Sequence, residues 1–196
     1  MELVPALPLP TLVAMTQGQL GSLLVLALRA AGLTSVASMV THVVVEADDP
    51  AFGRPTKPIG PFFNREEATA FAEKRGWVVA EDSGRGWRRV VPSPRPREIV
   101  EAAVIRRLAA AGVVAVAAGG GGVPVVRQGD ELLPVDGVID KDLAAAVLAS
   151  ALGASTLVLV TGVAKVFLDF GTPQKRPVNE LTVAEAQDYL AAGQFA

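Results

Sequence analysis

Three groups of residues in this chain have the types and spacing to handle an anion. Gly119 to Gly122 are four consecutive glycines, and downstream of them runs Asp136-Gly-Val-Ile-Asp140-Lys141-Asp142. The third group, Pro55-Thr-Lys-Pro58, holds Lys57 between prolines. Consecutive glycines let backbone N–H groups approach a phosphate or carboxylate with no Cβ in the way, and a nearby lysine supplies the mobile positive charge that a phosphoryl group needs. Each group also has a plainer reading. Glycine runs make tight turns, and a lysine in a loop is ordinarily solvated. Asp140 and Asp142 stand at the head of an alanine-rich segment, where an acid is an ordinary helix cap as well as a partner for a lysine or for Mg²⁺.

Other chemistries are excluded by residue type. The glycine run lacks the Lys-Ser/Thr ending of a P-loop and the sixth-position glycine of a dinucleotide fingerprint. The chain has no cysteine, which removes disulfides, thiolate catalysis and Cys-based zinc sites. Its one histidine, His42, falls in a strand-like run and is expected to be a half-buried, hydrogen-bonded imidazole. A serine-histidine-acid triad is therefore unsupported.

The elements that must position these residues follow from composition and pattern. With 196 residues, 51% of them hydrophobic and only 5% aromatic, the core must be built from Ala, Val and Leu, which favours buried strands covered by helices. A helix is expected over Leu12 to Leu33 and a strand over Val40 to Val45. Asp48 to Phe63 carries four prolines and reads as a stiff, protruding flap. Asn64 caps the next helix with Glu67 in the capping-box position, and Trp77 to Val91 reads as a hairpin turning at Glu81 to Arg85. Pro92-Ser-Pro-Arg-Pro96 marks the end of a small subdomain over about 43–91. Beyond it the pattern alternates: helix Arg97 to Ala111, strand Val113 to Ala117, the glycines, a hairpin over Val123 to Leu133, helix Lys141 to Leu152, strand Thr156 to Thr161 and helix Val183 to Ala192. The glycine run and Thr161-Gly-Val-Ala-Lys165 each follow a strand, where ligands of α/β sheets collect.

Charge is uneven. Arg54 to Arg107 holds twelve basic and seven acidic residues, against six and thirteen elsewhere, for a net charge of -2. Such a basic middle attracts a small anion or nucleotide, or is a salt-bridged surface. The basic residues are read as lacking interleaved aromatics and the pI is about 5.5, so nucleic acid is not an expected partner. Leu108 to Val126 and Leu143 to Ala164 are uncharged, but both change from helical to strand pattern at a glycine, so neither is expected to span a membrane. No signal peptide is expected, since no charged n-region precedes an apolar h-region.

Six motifs resemble carbamate kinase, in order and at family-like spacing. They are Met15-Thr-Gln-Gly-Gln19, the Asp48 to Phe63 segment, Glu81 to Pro94, Ala117 to Val125, Val138-Ile-Asp-Lys-Asp142 and Gly193-Gln-Phe-Ala196. The resemblance runs from about residue 10 to the last residue and implies the amino-acid kinase fold, an α/β three-layer sandwich with a mainly parallel central sheet. One partial domain over 1–196 with the 43–91 subdomain inserted is the expected organisation. It implies a cytoplasmic homodimer of arginine metabolism, often running toward ATP, that interconverts ATP and carbamate with ADP and carbamoyl phosphate using Mg²⁺. By resemblance, Lys141 neutralises the transferring phosphoryl group and Asp142, with Asp140 beside it, organises the lysines. Lys57 closes over the anion from the protruding subdomain. The glycines Gly119, Gly120, Gly121 and Gly122 border the carbamate, and Thr161, Lys165 and Val166, with Phe170-Gly171, border the nucleotide. No metal-ligating residue is assigned.

The resemblance has two gaps. The family's Gly-Gly-Asn-Ala loop and His-Gly-Asn-Gly-Pro-Gln segment do not occur, nor does the Pro-Gly-Ser-Met stretch with its further lysine. The chain thus reads as truncated at both ends, and alone it is expected to have little or no kinase activity. The alternatives are an inactive fragment, or an interaction partner of a full-length kinase.

Overall fold

The computed structural model describes residues 7–194; the chain's opening residues and the last two of the Gly193 to Ala196 motif lie outside them. The chain divides into two compact units, Met1–Leu157 and Val158–Ala196.

The first unit is built around two parallel strand pairings. Helix α1 (Leu9–Ala30) leads to β1 (Val36–Ser38) and β2 (His42–Val44). β1 pairs in parallel with β7 (Val114–Val116), and β2 pairs in parallel with β8 (Val123–Gln128). Two short strands flank the second pairing in antiparallel fashion, β6 (Glu98–Ile99) beside β2 and β9 (Glu131–Pro134) beside β8, giving the order β6-β2-β8-β9. Helices α3 (Ala102–Ala110) and α4 (Lys141–Leu152) close over these strands, and Val43, Val45, Ile99, Ile105, Ile139 and Ala144 form their shared core. Valines and isoleucines stiff at χ1 suit the strands, while Ala144, fully buried, lets α4 approach closely. α1 packs against β1, β7 and β8.

A separate three-stranded antiparallel sheet, in the order β3-β5-β4, comes from β3 (Lys57–Phe63), β4 (Val79–Glu81) and β5 (Trp87–Val91), with helix α2 (Arg65–Arg75) beside it. The capping box at Asn64 forms as expected: its side chain accepts from the Glu67 N–H at 2.9 Å, and the Glu67 carboxylate accepts from the Asn64 N–H at 3.0 Å. Gly76 ends α2 in the left-handed conformation.

The second unit holds an antiparallel pair, β10 (Val166–Leu168) with β11 (Arg176–Val178), and helix α5 (Val183–Ala191). Thr182 caps α5 with Glu185 as its reciprocal partner. The Gln194 side chain accepts from the Asp169 N–H at 2.7 Å and donates to the Asp169 carboxylate at 3.2 Å.

Several expectations are corrected. The strand expected over Val40 to Val45 is present but shorter, as β2 (His42–Val44), and the sequence reading missed β1 just before it. Arg97 to Ala111 begins with β6, not with helix, because the Val100 N–H donates to His42 O and that of Arg97 to Val44 O, tying the segment to β2. The flap is irregular only as far as a 3-10 turn at Pro50–Gly53. Its second half is strand β3, at the sheet edge where prolines are tolerated, with its register broken between Ile59 and Phe63 around Gly60. Thr156 to Thr161 joins no sheet among the described residues, and Val158 and Val160 stand 75% and 91% exposed. The arginines do interleave with aromatics in space. Arg75 lies over both Phe71, one helical turn earlier, and Trp77, while Arg89 lies over Trp77, and Arg85 and Arg88 over Phe62, across the sheet and its turn. Finally, α1 is long and apolar enough by length and composition to cross a membrane, although neither uncharged stretch singled out from the sequence includes it.

Candidate functional site

The alanine-rich α4 is a good helix former, capped at its N-terminus by Asp140 and at its C-terminus by left-handed Gly153. Asp140 uses its two oxygens for different tasks. Oδ1 accepts from the N–H groups of Asp142 at 2.9 Å and Leu143 at 3.3 Å, while Oδ2 receives the Lys57 Nζ at 2.8 Å. The ordinary cap and the lysine-orienting carboxylate are thus the same residue. The Lys57 ammonium is the main reason the Asp140 carboxyl is held below its usual value, helped by the two helix N–H groups and opposed by partial burial. Lys141 and Asp142 pair with each other at 3.0 Å on the exposed side of the helix start.

The glycine run forms a 3-10 turn at Gly119–Gly121 between β7 and β8. The N–H of Gly121 donates to Ala118 O at 2.9 Å and that of Gly122 to Gly119 O at 3.4 Å, so these two amides close the turn itself. A Cβ at Gly121 would lie 2.2 Å from Ile139 O, and one at Gly122 would lie 2.5 Å from Val43 Cγ2. These two glycines therefore exist for close packing, against the residue preceding Asp140 and against β2. Gly120, at φ +64°, has open space, and with Gly119 it lines a cleft of about 390 Å³ with Thr16 of α1, Ile59 and Gly60 of β3, and Val138. Lys57 and Asp140 each stand two residues from a lining residue of this cleft.

Two residues of the site went unassigned in the sequence. Gln17, 4% exposed, lies in α1, and Thr41, fully buried, precedes β2. Gln17 Oε1 accepts from the Thr41 N–H at 3.1 Å and from its hydroxyl at 2.8 Å, while Gln17 Nε2 donates to Thr41 O at 3.1 Å. The Ala118 N–H donates to Thr41 Oγ1 at 2.8 Å. The available signal was that Gln17 falls in the Met15 to Gln19 motif of α1.

Lys57, Asp140 and the glycine turn all belong to the first unit, as do Lys141 and Asp142. Thr161, Lys165 and Val166 fall in the second. There the Thr161 hydroxyl accepts from the Val163 N–H at 3.1 Å, Lys165 donates to the Asn179 side chain, and Val166 opens β10 half-exposed.

Residues 11–196 match the model of the amino acid kinase family. The chain belongs to that family. Among relatives of this amino acid kinase, carbamate kinase 2 of Enterococcus faecalis is 45% identical over 98% of this chain and 63% of its own length. The carbamate kinase of Thermococcus kodakarensis is 44% identical over 98% of this chain and 62% of its own. In structure the chain is similar to carbamate kinase from Giardia lamblia bound to citric acid, with a TM-score of 0.90 and 37% identity over 99% of this chain and 63% of that one. The same enzyme bound to AMP-PNP gives 0.85, covering 100% and 64%. The amino acid kinase fold expected from the sequence is therefore present. The chain spans about 63% of the length of the curated relatives it matches.

Proposed function

We propose that this amino acid kinase chain serves phosphoryl transfer between ATP and carbamate, reversibly giving ADP and carbamoyl phosphate. The observation that carries the proposal is the Lys57–Asp140 pair, which brings a lysine of the three-stranded sheet to the N-terminus of α4 beside the glycine turn. The carbamate relatives' names supply the acceptor, and the relative bound to AMP-PNP supports a nucleotide donor. A carbamate oxygen attacks the γ-phosphorus and the bond to the ADP oxygen breaks, with no proton to move. Positioning and charge neutralisation suffice for such a step. Lys57 and Lys141 supply positive charge, Asp140 and Asp142 hold those lysines at rest, and the Gly119–Gly120 rim admits the anion. Thr161, Lys165 and Val166 serve the nucleotide.

Among the described residues no three His, Cys, Asp or Glu side chains gather into a metal cage. Mg²⁺ takes phosphate oxygens and keeps several waters, so the ion would travel with the nucleotide and contribute charge neutralisation there. We read β3, β4, β5 and α2 as the core of a protruding subdomain within the expected span of about 43–91, whose first residues Val43 to Val45 belong instead to β2 and the main core, and the protein as a cytoplasmic homodimer of arginine metabolism.

The second reading is that the chain binds a longer partner and does not turn over by itself. A coupled assay for ATP formation from carbamoyl phosphate, ADP and Mg²⁺, on the purified protein and on Lys141→Ala, separates the two. Activity lost in the variant supports the kinase. A folded protein with no turnover in either form supports the non-catalytic reading.

A further inference from the structure

The two parallel ladders are interrupted where the active-site turn leaves them. β1 runs beside β7 and β2 beside β8, but between these pairings residues 39–41 face the excursion over 117–122. The Met39 N–H still reaches Val116 O at 3.0 Å, and the Val123 N–H reaches Thr41 O at 2.9 Å. Between them two backbone donors are satisfied by side chains: Thr41 N–H by Gln17, and Ala118 N–H by the Thr41 hydroxyl. Ala118 stands at φ +53°, a left-handed conformation unusual for a residue with a Cβ, and it is the residue from which the glycine turn departs. One hydroxyl thus accepts from Ala118 and donates to Gln17, forming a buried relay.

We propose that Gln17 and Thr41 are positioning residues for the anion site: the Gln17–Thr41–Ala118 relay fixes the left-handed departure at Ala118 and so sets the direction in which Gly119 and Gly120 face the cleft. This rests on the reading that the turn borders the carbamate end. Neither side chain touches the ligand; both act through the turn. The relay needs a hydroxyl at position 41 that can donate and accept at once, which serine keeps and the isosteric valine lacks.

The test uses the full chain as wild type, Thr41→Ser and Thr41→Val, with backbone amides assigned by NMR. In wild type the Ala118 amide should exchange with solvent as slowly as those of β2. In Thr41→Val it should exchange at least about tenfold faster, the effect of losing one buried hydrogen bond, with shifts moving at Gly119 and Gly120 and not in the β4–β5 hairpin. Titrated with carbamoyl phosphate, Thr41→Val should bind about tenfold more weakly and Thr41→Ser within about threefold of wild type, while ADP with Mg²⁺ binds all three alike. Unchanged turn amides in Thr41→Val, or Thr41→Ser failing as Thr41→Val does, overturns the proposal. Should Thr41→Val not fold, wild type alone decides: an Ala118 amide exchanging like an exposed one overturns it, and a protected one supports it. If wild type fails to bind carbamoyl phosphate, the carbamate reading falls, and the amide measurements still decide whether the relay sets the turn.

Discussion

Asp140 shows how one carboxylate serves structure and site together. Its cap holds α4, and its second oxygen holds Lys57. Asp140→Ala removes both, at a cost of about 1 kcal/mol for the cap, whereas asparagine caps nearly as well and loses only the charge. Because the native carboxyl lies below its unfolded value of about 3.9, its ionic contribution is full above that pH and is lost as the pH falls through the lower native value. In urea unfolding, Asp140→Asn should therefore be less stable than wild type near neutrality by under about 1 kcal/mol, as befits a partly exposed pair, and the gap should close in acid. A gap that persists below the native titration would mean the charge of Asp140 is not its cause. Lys57 and Asp140 each stood out from their motifs, but their pairing was not legible, since 83 positions separate them. Gln17 and Thr41 escaped for the same reason, because a polar residue in a helix does not say where its partner lies.

The glycine turn sets what its neighbouring elements tolerate. Gly120→Ala meets open space and should cost only about 1 kcal/mol for its left-handed backbone. Gly121→Ala drives a Cβ into the Ile139 carbonyl and should cost at least about 2 kcal/mol more, as overpacking against backbone does. Thermal unfolding of the two variants compares them directly, and equal losses would show that Ile139 yields freely. Asn64→Ala, which breaks the α2 capping box, should lose about 1 kcal/mol in the same experiment. Capped helix ends were legible: α4 begins and ends where Asp140 and Gly153 indicate, since capping chemistry is local, whereas α1 and α3, with no side-chain cap, start at Leu9 and Ala102 and not at the expected Leu12 and Arg97. Strands were less so. β6 is made by its pairing with β2 and not by its own two residues, and β3 hides a ladder among prolines because an edge needs hydrogen bonds on one side only. Thr156 to Thr161 has the apolar run of a strand without a neighbour to pair with among the described residues, and pairing is what period alone cannot supply.

At the scale of the molecule, the apolar surface stands out. Leu23 and Leu26 of α1 are 59% and 63% exposed, one turn apart on the helix, with Leu20 and Leu24 also exposed nearby. Contiguous exposed leucine marks a contact surface for protein or membrane. Replacing Leu23 and Leu26 with lysine should lower self-association in sedimentation velocity without changing the circular-dichroism spectrum; unchanged association would place the contact elsewhere. The family was legible from motifs spread over most of the chain. The two-unit division was not, because the polypeptide passes from Leu157 to Val158 within one unbroken apolar run. The rims of the three-stranded sheet have the opposite character to that leucine face. β4 is only three residues long, and in β3 neither Pro58 nor Pro61 has an N–H to offer an incoming strand. When this protein clusters at high concentration, that sheet therefore gives amyloid growth a poor template, and any fibril should nucleate elsewhere in the chain.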